Sequence, residues 1–219
     1  EKGLELVPTD EYTKCIYIPI GVGVAVPPWN FPLSLIGGMV AAAVVTGNSI
    51  VCKPSSDSPI VAYKFVELCE KAGIPAGVVN YIPGSGSDIG DYIVEHPLTR
   101  FINFTGSKAI GCRINEHAAK ISKGQKWIKR VVAEMGGKNA IIVDSSANIK
   151  KAAQGIANSA FTFQGQKCSA CSRAIVMSDV YDELVDAVVE EAKKLKADQG
   201  AGRDNAAIGP VINQNAYNN

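Results

Sequence analysis

The sequence has little of the chemistry that would indicate nucleic acid, lipid or metal as a partner. Its 219 residues carry a formal net charge of +1, so we expect neither nucleic acid nor an anionic membrane as a partner. The longest apolar run, from Met39 to Val45, is too short to cross a bilayer. The two histidines, His96 and His117, each stand alone, so they predict neither a zinc site nor a cysteine–histidine pair.

The sequence also lacks an initiating methionine and an apolar N-terminal leader. It begins at Glu1, and a new element begins at Ile208-Gly209-Pro210, shortly before the last residue, Asn219. These features predict an internal piece of a longer chain. Without a secretory signal, we expect a reduced, cytoplasmic setting in which the six cysteines stay free thiols.

Strand-like and helix-like segments alternate along most of the chain. Strand signals lie at 15–18, 21–26, 49–52, 78–82, 100–104, 131–133, 140–143 and 174–177, and helical spacing at 33–46, 59–72, 88–95, 108–120, 149–163 and 180–195. This alternation predicts an α/β fold in which helices cover a parallel sheet. A junction between two domains is expected near Gly136-Gly137.

Three glycine-bearing stretches lie at or near strands, and none matches a complete nucleotide-binding fingerprint. Gly21-Val22-Gly23 lacks a glycine three residues later, and the glycine after Gly84-Ser85-Gly86 comes one residue late. Gly106 and Gly111 have P-loop spacing, but Cys112 stands where a lysine is required. Each stretch is compatible with a plain turn. Gly106-Ser107 also opens a helix after a strand, where free N–H groups would suit a diphosphate.

The polar stretch from Phe163 to Arg173 contains Cys168 and Cys171 in a C-x-x-C arrangement. A zinc site would need a second ligand pair, and the late position in a large α/β chain does not favour a thioredoxin-like dithiol. We interpret Cys168 as a nucleophile and Cys171 as a packing residue, with a buried, inert thiol as the alternative for each. Glu134, at the end of an apolar strand, is the candidate base, and a solvent-exposed strand-end charge is its alternative.

Five short motifs carry a resemblance to a known family. They are Pro28-Trp29-Asn30-Phe31-Pro32, Lys53-Pro54-Ser55, Phe104-Thr105-Gly106-Ser107 with Gly111, Glu134-Met135-Gly136-Gly137-Lys138, and Gly165-Gln166-Lys167-Cys168. In this order and spacing they resemble the aldehyde dehydrogenase superfamily. The resemblance implies a Rossmann-like NAD-binding domain at 19–135 and the first part of an α/β catalytic domain at 136–219. Residues 1–18 resemble part of an oligomerisation arm, so a homo-oligomer is expected for the full-length protein.

Within this superfamily the sequence is most similar to members that oxidise L-glutamate γ-semialdehyde, formed from Δ1-pyrroline-5-carboxylate, to L-glutamate in proline and arginine catabolism. The resemblance implies that the Cys168 thiolate attacks the aldehyde and that Asn30 and the amide of Cys168 hold the oxyanion. It implies that Glu134 activates the water that hydrolyses the thioester.

The resemblance also assigns binding residues. Those for the cofactor are Trp29, Lys53, Ser55, Ser56, Gly86, Gly106 and Ser107, and those for the substrate are Phe31, Lys167 and Ser169. NAD is the expected cofactor. Ser56 stands where NAD-preferring relatives often carry a glutamate that rejects a 2′-phosphate, so NADP stays open.

Other functions stay open at this point. One is oxidation of another aldehyde, and a second is CoA-dependent acylation, although such relatives generally lack a base at the position of Glu134. A third is a nucleotide-binding segment without catalysis. Later family segments that anchor the substrate are absent from the sequence, so we expect the 219 residues alone to be inactive.

Overall fold

The computed structural model describes residues 14–197 and 208–218. The chain divides into two compact units, Glu1–Glu134 and Met135–Asn219. In the residues described, no helix is long and apolar enough to span a membrane. The predicted α/β class with a parallel sheet is confirmed.

The first unit is built on a five-stranded parallel sheet. Its strands are β1 Val22–Val26, β2 Ser49–Cys52, β3 Val79–Tyr81, β4 Thr99–Thr105 and β5 Arg130–Glu134, in the spatial order β3-β2-β1-β4-β5. The connecting helices are α1 Ser34–Val45, α2 Pro59–Lys71, α3 Asp91–Glu95 and α4 Lys108–Ala119. The strand order reverses between β1 and β4, and such switch points are where open parallel sheets bind ligands.

The buried Asn48 ties the end of α1 to the beginning of β1. Its side-chain oxygen accepts hydrogen bonds from the amides of Ile20 and Gly21, at 2.7 and 3.0 Å. Its nitrogen donates to the carbonyl oxygen of Ala43 and the hydroxyl of Thr46, at 3.3 and 2.9 Å. One side chain thereby pairs the amides of Ile20 and Gly21 and connects them to the end of α1.

The core of the first unit lies where α1 and α2 meet the sheet. It contains the buried residues Ala25, Ile36, Val40, Ala43, Ile50, Cys52 and Ala62. Gly23 of β1 pairs in register with Phe101 of β4. A Cβ atom at position 23 would stand 2.1 Å from the Phe101 ring, so the ring covers the glycine and no larger residue fits there unless the ring moves.

The second unit contains a two-stranded parallel sheet of β6 Asn139–Val143 and β7 Cys171–Val176. Its helices are α5 Ile149–Phe161, α6 Tyr181–Lys193 and the short α7 Gln214–Asn218. Val143, Ala153, Ile156 and Leu184 form its buried core.

The structure differs from the sequence-based expectations at several places, including the following three. No strand forms at 15–18, where Cys15 makes a single β-bridge and Ile16, Tyr17 and Ile18 are exposed. Alternating apolar residues make a strand only where a neighbouring strand accepts their hydrogen bonds. Helix α5 ends at Phe161 instead of Phe163, because Phe163 and Gln164 have left-handed backbones with φ of 57° and 58°. Strand β7 begins three residues before the predicted Ala174.

We expect Ile50→Ala to lower the free energy of unfolding by about 2–5 kcal/mol, because it leaves a cavity among fully buried neighbours. Ile60→Ala is the matched control, since Ile60 is 72% exposed on α2, and it should change the same quantity by less than about 0.5 kcal/mol. Urea denaturation of the 219-residue chain measures both. Equal effects would contradict the placement of Ile50 in the core.

Candidate active site

The carboxyl edge of the five-stranded sheet gathers most of the residues singled out in the first unit. Asn30 lies in the turn after β1, Lys53 directly follows β2, Gly106-Ser107 follows β4, and Glu134 is the last residue of β5. The four strands are parallel, so these positions share one edge. Trp29 and Asn30 are half-buried, Phe31 is 36% exposed, and Glu134 is exposed.

Lys53 is held in place before any ligand binds. It is 6% exposed, and its ammonium donates to the carbonyl oxygens of Pro54 and Gly84, at 3.0 and 3.2 Å. Burial lowers the pKa of Lys53. An ammonium has three N–H donors, so these two bonds leave one for another acceptor.

Two serines lie directly after Lys53 in the same loop. The Ser56 hydroxyl donates to the Gly84 carbonyl at 3.5 Å, the oxygen that Lys53 also contacts. The Ser55 hydroxyl accepts from the amide of Asp57 at 3.3 Å. The loops after β2 and β3 are therefore joined through Gly84.

A cavity of about 400 Å³ lies beside Lys53. Its lining residues are Val26, Lys53, Gly86, Ser87, Gly90, Asp91, Ile93, Val94, Ile110, Arg113 and Ile114. Gly86 and Gly90 open onto free space, since a Cβ atom at either position would meet nothing within 4 Å. Apolar walls, two bare glycines and one lysine suit a flat base with a polar sugar, so these residues fit the adenosine half of NAD.

The wall of this cavity includes an ion pair that the sequence analysis missed. The Arg113 guanidinium donates to both oxygens of Asp91, from Nε at 3.0 Å and from Nη2 at 2.5 Å. This hydrogen-bonded pairing holds the pKa of the Asp91 carboxyl below its usual range. The two residues stand 22 positions apart, so no local sequence pattern could have indicated the pair.

The turn after β4 is built as a helix start. The Ser107 hydroxyl accepts from the amide of Ile110 at 3.4 Å and caps α4. The Gly106 amide donates to the Glu134 carbonyl at 3.0 Å, so it is already engaged within the protein. A Cβ atom on Gly106 would stand 2.6 Å from the Phe104 ring, which explains the glycine. The N–H groups suited to a diphosphate here are therefore those of the first turn of α4.

In the second unit, Lys167, Cys168 and Ser169 share the tight turn that precedes β7. The turn is closed by a bond of 3.3 Å from the Ala170 amide to the Lys167 carbonyl. The Cys168 carbonyl accepts from the Asn139 side chain at 2.9 Å. Gly137 lies against the same oxygen, which is 2.9 Å from where its Cβ would be. Asn139 is a third residue that the sequence analysis missed, although it directly follows the predicted Gly136-Gly137-Lys138 motif.

Two neighbours of Cys168 make contacts that define their places. The Lys167 ammonium contacts the Thr162 hydroxyl at 3.2 Å and the Asn158 carbonyl at 3.5 Å. The Cys171 amide donates to the Ser159 hydroxyl at 3.1 Å, and its thiol contacts the Arg173 carbonyl at 3.3 Å. These contacts fit a structural role for Cys171. Substrate binding by Lys167 and Ser169 stays a prediction.

The six thiols differ strongly in their surroundings. All six cysteines lie in the described residues and are free. Cys52 is fully buried, and burial, reinforced by Cys69, raises its pKa to about 12. Cys168 is partly accessible, whereas Cys15 and Cys112 are exposed.

Comparison with known proteins gives one consistent result. The model of the aldehyde dehydrogenase family matches residues 2–219. A 1-pyrroline-5-carboxylate dehydrogenase from Geobacillus kaustophilus is 58% identical over 208 residues, which are 95% of this chain and 40% of that protein. The chain thus spans about 40% of the length of the curated relatives it matches.

Solved structures agree with this match. A 1-pyrroline-5-carboxylate dehydrogenase from Thermus with bound NAD superposes with a TM-score of 0.91 at 44% identity, covering 97% of this chain and 41% of that one. Proline utilization A from Bdellovibrio bacteriovorus superposes with a TM-score of 0.90 at 47% identity, covering 93% and 21%.

Thiol accessibility can be measured directly by alkylation. At pH 8, a thiol with a pKa of about 12 has roughly one thiolate in 10⁴, so iodoacetamide should leave Cys52 unmodified in the folded chain while Cys112 reacts. Peptide mass spectrometry would follow each site, and in urea the two rates should converge. Rapid modification of Cys52 in the folded chain would contradict its burial. Earlier labelling of Cys168 than of Cys52 and Cys69 is also expected.

Proposed function

The chain belongs to the aldehyde dehydrogenase family, and we propose that the full-length protein oxidises L-glutamate γ-semialdehyde to L-glutamate with NAD. The substrate follows the relatives named 1-pyrroline-5-carboxylate dehydrogenase, which are 54–58% identical to this chain. Oxidation of another aldehyde by the same chemistry is the second candidate.

One observation supports this function more than any other. At the carboxyl edge of the parallel sheet, Lys53 is fixed by two carbonyl oxygens beside a mostly apolar cavity of about 400 Å³. A buried lysine held by main-chain oxygens, with one donor left, suits a sugar hydroxyl better than it suits a structural ion pair. Parallel sheets bind nucleotides at their carboxyl edge, so the position of Lys53 and this cavity supports an adenosine site there.

The proposed chemistry begins at Cys168. Its thiolate forms a bond to the aldehyde carbon, and the carbonyl oxygen becomes an oxyanion. The Asn30 amide donates a hydrogen bond to that oxyanion, and such a donor is typically worth about 10²–10³ in rate. Bound NAD would supply the two-electron acceptor that converts this adduct to a thioester.

Hydrolysis of the thioester is assigned to Glu134. Its carboxylate removes a proton from water as the water oxygen bonds to the acyl carbon, and the Cys168 thiolate leaves. An exposed carboxylate at a strand end can exchange its proton with solvent after each turnover. The cycle returns both residues to their starting protonation states and releases L-glutamate.

Cofactor choice is assigned to Ser56. Its hydroxyl lies near Lys53, because both contact the Gly84 carbonyl, and Ser56 places no negative charge there. A 2′-phosphate on the adenosine ribose would therefore meet the Lys53 cation without an opposing carboxylate. We expect NAD to be used and NADP to be accepted as well.

Two wider properties are part of the same proposal. A reduced, cytoplasmic setting is supported by the six free thiols, because such thiols are unusual in oxidising compartments. A homo-oligomer rests on the resemblance of residues 1–18 to the family's oligomerisation arm. Residues 1–13 of that segment lie outside the described residues.

Substitution of Cys168 and Glu134 in the full-length protein tests the mechanism. Cys168→Ala should lower kcat for NAD-dependent oxidation of the semialdehyde by at least about 10³-fold, because the covalent step is lost. Glu134→Gln should release about one NADH per site in a burst and then turn over at least about 10²-fold more slowly, because only hydrolysis lacks its base. Stopped-flow absorbance at 340 nm, where NADH absorbs, measures both.

The matched control is Cys171→Ala, which removes a neighbouring thiol and should leave kcat within about threefold. Full activity in Cys168→Ala would refute the assigned nucleophile. Values of kcat/KM for a panel of aldehydes show whether the semialdehyde or another aldehyde is the preferred substrate. If product forms only when CoA is present, the second step is acyl transfer to CoA and not hydrolysis.

Ser56→Glu should raise the preference for NAD over NADP at least about tenfold, because the new carboxylate repels a 2′-phosphate. Ser56→Gln has nearly the same size without the charge and should leave the preference within about threefold. Ratios of kcat/KM for the two cofactors measure the effect. An unchanged preference in Ser56→Glu would place the ribose away from this loop.

A further inference from the structure

The backbone directly before Cys168 adopts a rare conformation. Phe163, Gln164 and Gly165 follow one another with φ of 57°, 58° and 66°. Residues with a side chain seldom adopt this left-handed region, and two in a row cannot persist unless their surroundings enforce it. Contacts around the turn must therefore hold it in this conformation.

Two backbone hydrogen bonds within the turn hold part of it. The Gln166 amide donates to the Phe163 carbonyl at 3.0 Å, and the Lys167 amide donates to the Gly165 carbonyl at 2.8 Å. Gln164 and Gly165 also line a cavity of about 340 Å³, so apolar packing alone does not fix the turn on that side.

The side chain of Gln166 supplies the contact to the rest of the unit. Its Oε1 accepts a hydrogen bond from the Ile212 amide at 3.1 Å, and its Nε2 lies 3.0 Å from the terminal amide group of Gln164. The Gln164 side chain, in the orientation that pairs both of its polar atoms, accepts from the Gly209 amide at 2.5 Å and donates to the Phe163 carbonyl at 3.1 Å. Two glutamines thus join the turn to the backbone around Gly209–Ile212.

Cys168 therefore lies between two side-chain amide anchors. Asn139 holds its carbonyl on the downstream side, and Gln166 holds the backbone two residues upstream. The intervening Lys167 is bound by both its amide and its ammonium. The two anchors thus hold the backbone on both sides of the thiol, and the proposed chemistry uses neither Asn139 nor Gln166 directly.

We propose that Gln166 is a positioning residue, which sets the place of the Cys168 thiol by tying the left-handed turn to the backbone at Ile212. The inference rests on the proposed function, in which Cys168 is the nucleophile. Misplacement of a reacting atom by about 1 Å can cost about 10² in rate, which is the effect to expect when the tie is removed.

The test is Gln166→Met in the full-length protein, which keeps the length of the side chain and removes the amide. We expect kcat to fall about 10²-fold, while KM for the aldehyde and Kd for NAD stay within about twofold. Gln166→Glu keeps the oxygen that accepts from Ile212 and should recover at least tenfold of that loss. Because an added carboxylate raises the pKa of a nearby thiol, the variants are compared on the high-pH plateau of kcat.

Gln125→Met is the matched control. Gln125 also makes two amide contacts, accepting from the Ser122 amide at 3.3 Å and donating to the Trp127 carbonyl at 2.7 Å, but it belongs to the first unit, whereas Cys168 belongs to the second. Its loss should leave kcat within about threefold. The inference is overturned if Gln166→Met keeps kcat within threefold of the wild type, or if Gln125→Met loses as much.

The experiments distinguish a wrong proposed function from a wrong role of Gln166. A wild-type protein without NAD-dependent aldehyde oxidation refutes that function, and the position of the thiol is then measured by alkylation. The rate constant of iodoacetamide with Cys168 should change at least threefold in Gln166→Met and stay unchanged in Gln125→Met. Equal rates in all three proteins overturn the inference.

Discussion

The shared direction of the five strands is the constraint on which the first unit depends. Each crossover returns the chain to the amino edge of the sheet, so every strand delivers its next loop to the carboxyl edge. Lys53, Gly106 and Glu134 reach that edge from three different strands and need no sequence proximity. Asn48 supports this geometry from the opposite edge, because it satisfies the backbone where α1 ends and β1 begins.

Backbone atoms serve as the fixed points in both units. Lys53 is oriented by main-chain oxygens of two loops, and Gly106 is bound to the Glu134 carbonyl across neighbouring strands. In the second unit the carbonyl of Cys168 receives the Asn139 amide. Main-chain groups move less than long side chains do. Side chains bound to such groups are held on rigid elements, as a preorganised site requires.

The sequence predicts best what is decided locally. The short apolar run at 49–52 and the glycine after Thr46 are enough to place β2 and, within one residue, the end of α1, since both signals act within a few residues. The site residues follow instead from the resemblance of short motifs to a known family. The strand expected at 15–18 does not form, because local alternation does not supply the partner that a strand needs. The bond between Gln166 and Ile212 joins residues 46 positions apart, and no local pattern records it.

The coverage of Gly23 by Phe101 has a consequence for how this family can evolve. The ring occupies the volume that any side chain at position 23 would need, so the side chains at the two positions compete for the same volume. Substitution at one alone either clashes or opens a cavity, and an exchange of sizes across the strand pair conserves volume. Positions 23 and 101 should therefore covary among homologous sequences, so that a small residue at one position accompanies a large residue at the other. The Gly-x-Gly at 21–23 would then be inherited for packing, independently of nucleotide binding.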